Sequence, residues 1–433
     1  MDTTETANEN EDDHLSMIKE VGATFTSTFV NVINCIIGAG ILSIPATVHN
    51  TGLFGAFFLL LASLALSLFG SFYLTVAATY TNKDTLGGIS SILYGKNMII
   101  ISNATLIIYE LGVSTAYFVI IFEQVLDLLE AWGGLSSAWV WNNRWWITYL
   151  TTILFSVPLL SIRKLDMLKY TSGGAVACII LFVIISVYLG IEQLTTEPLH
   201  YNYWPKDIGS VTASVAIFST ALCFHTAVPK LHSELKYPKG SKFATKVHKM
   251  FRIGAGAAIF SCCLYYVVGM FAYFAFGSSI AGNLLTNFQQ KGYWYLSIVK
   301  LAYALVALFS NPIVVYPSVA TIDRLLFKGE RVLWRRVSES FIWCTIVWSI
   351  AIAIPQLDVV FGLTGSTGGI LLIYVYPAIL YIAVVKRFRK QPKAVVKSIL
   401  GPSWLYPFAH ILILVSTMLG IISTISQIKD LSS

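Results

Sequence analysis

The chain has 433 residues, of which 56% are hydrophobic and 12% charged, with a formal net charge of +7. Its mean hydropathy is +0.71, whereas an average soluble domain is about a quarter charged, so composition excludes a soluble fold and indicates a polytopic membrane protein. Uncharged runs of about 20 residues, enough to cross about 30 Å of hydrocarbon, recur almost end to end and leave no room for a separate soluble domain.

Residues 1–20 are acidic and lack apolar periodicity, so they read as a disordered cytosolic tail. They also lack the basic-then-apolar pattern of a cleaved leader, so the first span is expected to start its own insertion. Eleven spans are then predicted, at 22–48, 51–80, 97–131, 144–160, 168–192, 208–231, 250–277, 294–323, 337–355, 358–385 and 405–428. They make one transmembrane domain over 21–428, with 429–433 as a short extracytosolic tail. If successive gaps alternate sides, 24 of the 29 Lys and Arg fall on the side of the N-terminal tail. Arg144, Lys206, Lys291 and Lys429 lie opposite, and Lys300 is within a span. This bias places the N-terminus in the cytosol and the C-terminus outside it. It also accounts for the positive charge without a nucleic-acid partner.

Trp132, Trp139, Trp141, Trp145, Trp146, Trp204 and Trp294 crowd the outer span ends like an interfacial belt. Cys35, Cys178, Cys223, Cys262, Cys263 and Cys344 all sit in apolar segments and read as small packing residues. The sequon at Asn103 falls within a span and is not expected to carry glycan.

The first span, NVINCIIGAGILSIP (31–45), carries Gly38, Ala39 and Gly40 at its middle and Pro45 behind them. A helix-packing groove would explain the glycines alone. The sixth span, VAIFSTALCFHTAVP (215–229), repeats the construction, with Leu222 to Pro229 matching the interval from Gly38 to Pro45. The two interrupted helices open repeats of five spans, about 22–192 and 208–385, and an odd repeat places the second upside down. That is the pattern of an inverted-repeat transporter with its binding site at the breaks. Unwound backbone frees amides for a carboxylate and carbonyls for an ammonium or cation, and it is tolerated only where it lines a polar cavity.

NCIIGAGILSIP (34–45), CFHTAVPKLHSELK (223–236), FSNPIVVYPSVATIDRLL (309–326) and PQLDVVFGLTGSTGGILLIYVYP (355–377) together resemble the amino acid/auxin permease family. The likeness is nearest its sodium-coupled neutral and vacuolar amino acid transporter branch. The resemblance implies an all-α fold of about eleven transmembrane helices, a leucine-transporter-type 5+5 inverted repeat with helices 1 and 6 broken and 405–428 as an extra helix. It implies transport of neutral L-amino acids with Na⁺ or H⁺. The substrate would sit at Gly38, Ala39, Gly40 and Ile41 and at Cys223, Phe224, His225 and Thr226. Asn34 and Ser310 match positions that serve a sodium ion in that branch, with serine in place of the usual threonine. Ser318 and Val319 stand where the branch usually has an arginine after Pro317, a departure that leaves Na⁺ and H⁺ both open.

Several other polar residues lie at membrane depth. Glu110, near the centre of the third span, is a candidate proton acceptor or ammonium partner, against a structural carboxyl facing a neighbouring helix. His225 is a candidate proton relay. Glu123 and Asp127 read as a solvated vestibule face and Lys300 as a snorkelling side chain. Gly362, Gly365, Gly368 and Gly369 suggest close packing of the tenth span. The seven basic residues of 230–252 suit anionic lipid, although topology already explains them.

Secondary active transport in a monomer, at a plasma or vacuolar/lysosomal membrane, is therefore expected, with no cofactor beyond a co-transported Na⁺. The alternative is an amino-acid-sensing receptor or scaffold with little or no transport. No HExxH, GxSxG or nucleotide loop supports an enzyme, and no charged ring or repeated filter supports a channel.

Overall fold

The computed structural model describes residues 23–162, 169–196, 200–237, 240–327, 331–388 and 400–432, so the acidic stretch 1–20 lies outside the described residues. Within these, every regular element is a helix, apart from one isolated bridge between Ala23 and Leu235. Phe25–Ile36 (α1) and Ile44–Thr51 (α2) share the first span, followed by Leu53–Thr81 (α3), the short Leu86–Tyr94 (α4) and Lys96–Ala131 (α5). Ser137–Asn142 (α6) is a short surface helix, and Arg144–Thr151 (α7) and Val157–Leu160 (α8) flank one wide turn. Lys169–Thr196 (α9) completes the first repeat.

The second repeat opens with Ile208–Ala221 (α10) and Val228–Glu234 (α11), then Phe243–Phe276 (α12), the surface helix Leu284–Lys291 (α13), Trp294–Leu326 (α14) and Leu333–Ala353 (α15). Leu357–Thr364 (α16) passes through two wide turns into Tyr376–Phe388 (α17), and Leu405–Ser432 (α18) follows. Eight of these runs are long and apolar enough to cross a membrane unbroken. The α1/α2, α7/α8 and α10/α11 pairs supply three more crossings, which makes eleven among the described residues.

Burial sorts the spans into core and rim. The most apolar stretch of Leu357–Phe388 is 83% buried, against 28% for Leu333–Ala353 and for Leu405–Lys429, so the tenth span is central and the ninth and eleventh face lipid. The α16–α17 span packs against α5, α10 and α18, and close approach there depends on glycine: a Cβ at Gly368 would fall 2.8 Å from that of Tyr109. α3 and α12 flank the two broken spans, while α5 and α14 run along each other.

Local chemistry fixes the helix ends. Asp207 caps α10, accepting from the Ser210 amide and hydroxyl at 2.8 Å each, and these bonds hold its carboxyl below the usual range. At the basic end of the molecule, the Ala23 amide donates to Glu234 O at 2.8 Å and the Lys236 amide to Ala23 O at 3.0 Å. This ties the start of α1 to the end of α11.

Two expectations need correction. Lys300 does not snorkel: it is 4% exposed, pairs with Asp127 at 2.6 Å and donates to Gln289 Oε1 at 2.8 Å. Glu123 and Asp127 are not a solvated face, since Glu123 accepts from Asn283 and Asp127 holds Lys300. The surface segment around α13 closes over them, and a cation taken out of water requires a partner carboxylate.

Candidate functional site

The first span leaves its helix at Ile37 and Gly38, makes one tight turn over Ala39–Leu42 and resumes at Ile44, with Pro45 in the first turn of α2. The sixth leaves at Leu222 and resumes at Val228, with Pro229 in the first turn of α11. Proline suits a helix start, where its missing N–H costs no bond. Each break, however, strips carbonyls of their i+4 donors, and these need partners in a membrane.

Tyrosines on three neighbouring helices supply partners at the first break. The Tyr265 hydroxyl on α12 lies 2.6 Å from Ile36 O and 3.0 Å from Ala221 O, so it joins the last carbonyls of α1 and α10. Tyr303 on α14 donates to Gly38 O at 3.3 Å. Tyr117 on α5 sets its hydroxyl against the Ala39 backbone and over Gly38, where a Cβ would lie 2.6 Å from that oxygen. Gly38 therefore permits a side chain to approach the backbone closely.

The second break is held from α3. Ser67 donates its hydroxyl to Leu222 O at 3.3 Å, and its carbonyl accepts from His225 Nε2 at 3.0 Å. A carbonyl can only accept, so the proton resides on Nε2, while the buried Nδ1 has no hydrogen-bond partner. The backbone of His225 and Thr226 turns toward the Cys223 thiol, which also meets the Tyr109 hydroxyl. Phe224 is fully buried, with its ring 5.0 Å from that of His225. From α10, Thr220 donates to Phe361 O at 3.1 Å and Ser219 shares a hydrogen bond with Tyr374 at 2.9 Å, linking this break to the tenth span.

The structure brings Gly38, Ala39, Gly40 and Ile41 into the first break and Cys223, Phe224, His225 and Thr226 into the second. A Cβ at Gly40 would lie 3.0 Å from Ala221 Cα, so the two breaks touch. Cys35 is exposed on α1, and its thiol lies within electrostatic reach of Cys223, Lys230 and Tyr117. Asn34 is half-buried on α1, one turn before Gly38. Ser310 is half-buried on α14, next to Asn311, whose Oδ1 accepts from Ser114 at 2.8 Å. Glu110 is 3% exposed with its carboxyl against Ser318 of α14, and its Oε2 has no hydrogen-bond partner.

Sequence reasoning missed Tyr109, Tyr117, Tyr265, Tyr303 and Ser67. A signal existed, because a mid-span tyrosine must find a partner for its hydroxyl.

Two inverted five-span repeats, each opening with a broken helix and meeting at mid-depth, define a membrane transporter of the leucine-transporter fold. Solved structures agree. The chain is similar to MhsT in complex with L-phenylalanine, with a TM-score of 0.57 at 14% identity, covering 92% of this chain and 98% of that one. It is similar to the Eremococcus coleocola manganese transporter, with a TM-score of 0.60 at 13% identity, covering 93% and 86%.

A family model described as Transmembrane amino acid transporter protein matches residues 21–425, and the chain belongs to that family. It is 25% identical over 431 residues to Amino acid transporter AVT6E of Arabidopsis thaliana, covering 95% of this chain and 84% of that protein. It is 24% identical to Vacuolar amino acid transporter 5 of Schizosaccharomyces pombe, covering 83% and 84%. To Sodium-coupled neutral amino acid symporter 2 of Danio rerio it is 23% identical, covering 84% and 76%. These relatives are named as transporters, not as enzymes.

Proposed function

We propose that the chain is a secondary active transporter that moves neutral L-amino acids by alternating access, coupled to Na⁺ or H⁺. One observation carries this reading: at the breaks, the carbonyls of Ile36, Gly38, Ala221 and Leu222 and the backbone of Ala39 meet hydroxyls from other helices, those of Tyr265, Tyr303, Ser67 and Tyr117. A ligand with one carboxylate and one ammonium can take over such bonds without leaving a buried group unpaired. The carboxylate would take the place of Tyr117 at the Ala39 backbone and rest on the amides of Gly38 to Ile41, and the ammonium would lie near carbonyls released at the two breaks. Cys223, Phe224, His225 and Thr226 would form the far wall.

Asn34 and Ser310 would hold Na⁺, and Glu110 would serve a proton instead. Ion and substrate would favour the same closed arrangement, so each would raise the affinity for the other. The protein would act as a monomer, N-terminus in the cytosol, at a plasma or vacuolar/lysosomal membrane. The name of the zebrafish relative supports the neutral substrate class and that of the fission yeast relative a vacuolar location.

The test is uptake of a labelled amino-acid panel into proteoliposomes with Na⁺ and pH gradients imposed separately. Neutral amino acids should accumulate under one of them. Asn34→Ala should abolish a sodium-driven flux, and Glu110→Gln a proton-driven one. Substrate binding without flux under either gradient would favour the receptor reading and overturn transport.

A further inference from the structure

α9, α12 and α13 all end at one cavity that has no part in the site above. It lies at the far end of α12 from the basic segment 230–252, measures about 590 Å³ and is lined chiefly by Gln193, His200, Phe276, Ser278, Gln290 and Lys291. His200, Ser278 and Gln290 are exposed and Lys291 is half-buried, so the polar wall is open to water.

The charge on that wall has one sign. Lys291 holds its ammonium over the ring of Phe276, 5.8 Å from the centroid, and both residues line the cavity. Among the described residues no carboxylate lines it and none pairs with Lys291. Glu192, beside Gln193 on α9, instead accepts from the Tyr293 hydroxyl at 3.4 Å. Helix C-termini repel an anion, but the last carbonyls of α12 and α13 are largely taken. The Gly277 amide donates to Tyr273 O, Tyr201 to Phe274 O at 3.1 Å, Ser279 to Phe276 O at 2.7 Å and the Gly292 amide to Gln289 O at 3.1 Å. The full charge of Lys291 then decides the sign.

The wall is also held in place. Asn287, fully buried on α13, donates to Ser279 O at 2.9 Å and accepts from the Ala281 amide at 2.8 Å, which fixes the turn after α12 to α13. Tyr201 packs on Tyr273 and Phe274, with ring centroids 5.4 and 5.0 Å away, and so holds the chain at His200 against α12. A cation and several donors on a fixed backbone suit an oxyanion, because charge-assisted bonds are the strong ones and little ordering remains to be done on binding.

We infer that this cavity binds a small oxyanion, a carboxylate or phosphate, with Lys291 as its counter-charge and Ser278, Gln290 and His200 as hydrogen-bond donors. Ser279 takes no part, since its proton is on Phe276 O. A free anion and a lipid headgroup share this chemistry. The bound group draws the end of α13 onto α12 and α9. Gln289, next to Gln290, accepts from buried Lys300 at 2.8 Å, so the anion braces the segment that covers the Lys300–Asp127 pair.

Binding can be read without any flux, on the full chain in neutral detergent at constant ionic strength. Equilibrium dialysis is run with labelled inorganic phosphate, citrate and short-chain phosphatidic acid as separate probes. One saturable site per chain is expected, indifferent to chloride and to neutral amino acids. Tighter phosphate or citrate makes the occupant a free anion, and tighter phosphatidic acid makes it a headgroup. Lys291→Gln should abolish binding and Lys291→Arg retain it. Ser278→Ala should weaken it about tenfold, the worth of one hydrogen bond to a charged group. This exposed position keeps the test open if Lys291→Gln does not fold, and an unchanged affinity there would count against the site. No saturable binding of any probe, displacement by chloride at equal ionic strength, or binding that survives Lys291→Gln would overturn it.

Discussion

Tyr265 donates its hydroxyl to the carbonyl of Ile36 at 2.6 Å, 229 residues away in the chain, and also lies within 3.0 Å of Ala221 O. The first half-helices of both broken spans thus end on one oxygen. Tyr265→Phe keeps the ring and removes the one proton the two carbonyls share, leaving the buried Ile36 carbonyl short of a donor at a cost of about 1–3 kcal/mol. Thermal unfolding in detergent should show lower stability, and uptake should fall with it. An unchanged melting temperature would mean that water or another side chain replaces the bond.

Tyr117 and Gly38 form a second close pair. Gly38→Ala would place a methyl 2.6 Å from the Tyr117 hydroxyl, and Tyr117 must yield for the backbone to keep its course. Loss of substrate binding is the expected outcome, by tenfold or more on the order of a 1.4 kcal/mol penalty. Tyr117→Phe in the same chain removes the clashing oxygen and should recover part of that loss, measured by binding of a labelled neutral amino acid. Strictly additive effects would show that the two positions act separately.

Lys300 and Asp127 make the third. Removing one partner of a buried pair leaves a charge without compensation, so Lys300→Met should cost about 3–5 kcal/mol. The double change Lys300→Met with Asp127→Leu should regain most of it, because two apolar groups need no pairing. Unfolding midpoints of the single and double variants decide the matter. A double variant no more stable than the single would mean that the α13 segment, not the ion pair, sets the cost.

Cys35 offers a chemical probe of access to the first break. In a chain whose other exposed cysteine, Cys263, and half-buried Cys178 are changed to serine, a small charged thiol reagent should modify Cys35. Reaction should be faster from the side on which α1 begins, and a bound neutral amino acid should slow it. No modification from either side would show that the first break is closed to water.

Periodicity and punctuation determined where this chain crosses the membrane and where two crossings break. Gly38, Ala39, Gly40 and Pro45, like Leu222 to Pro229, act on their own backbone within a turn or two, so their effect is written in local order. The eleven crossings follow from hydropathy for the same reason, since each span satisfies its own main chain. Only the tertiary structure decided what fills the breaks. Tyr117, Tyr265, Tyr303 and Ser67 come from four other spans and meet the freed backbone because helix packing aims them there. Likewise Lys300 found Asp127 173 positions away, and no local pattern distinguishes a lysine that reaches water from one covered by a surface helix. Where the chain unwinds is a local property of its backbone, whereas the partner of an unwound carbonyl is a property of the fold.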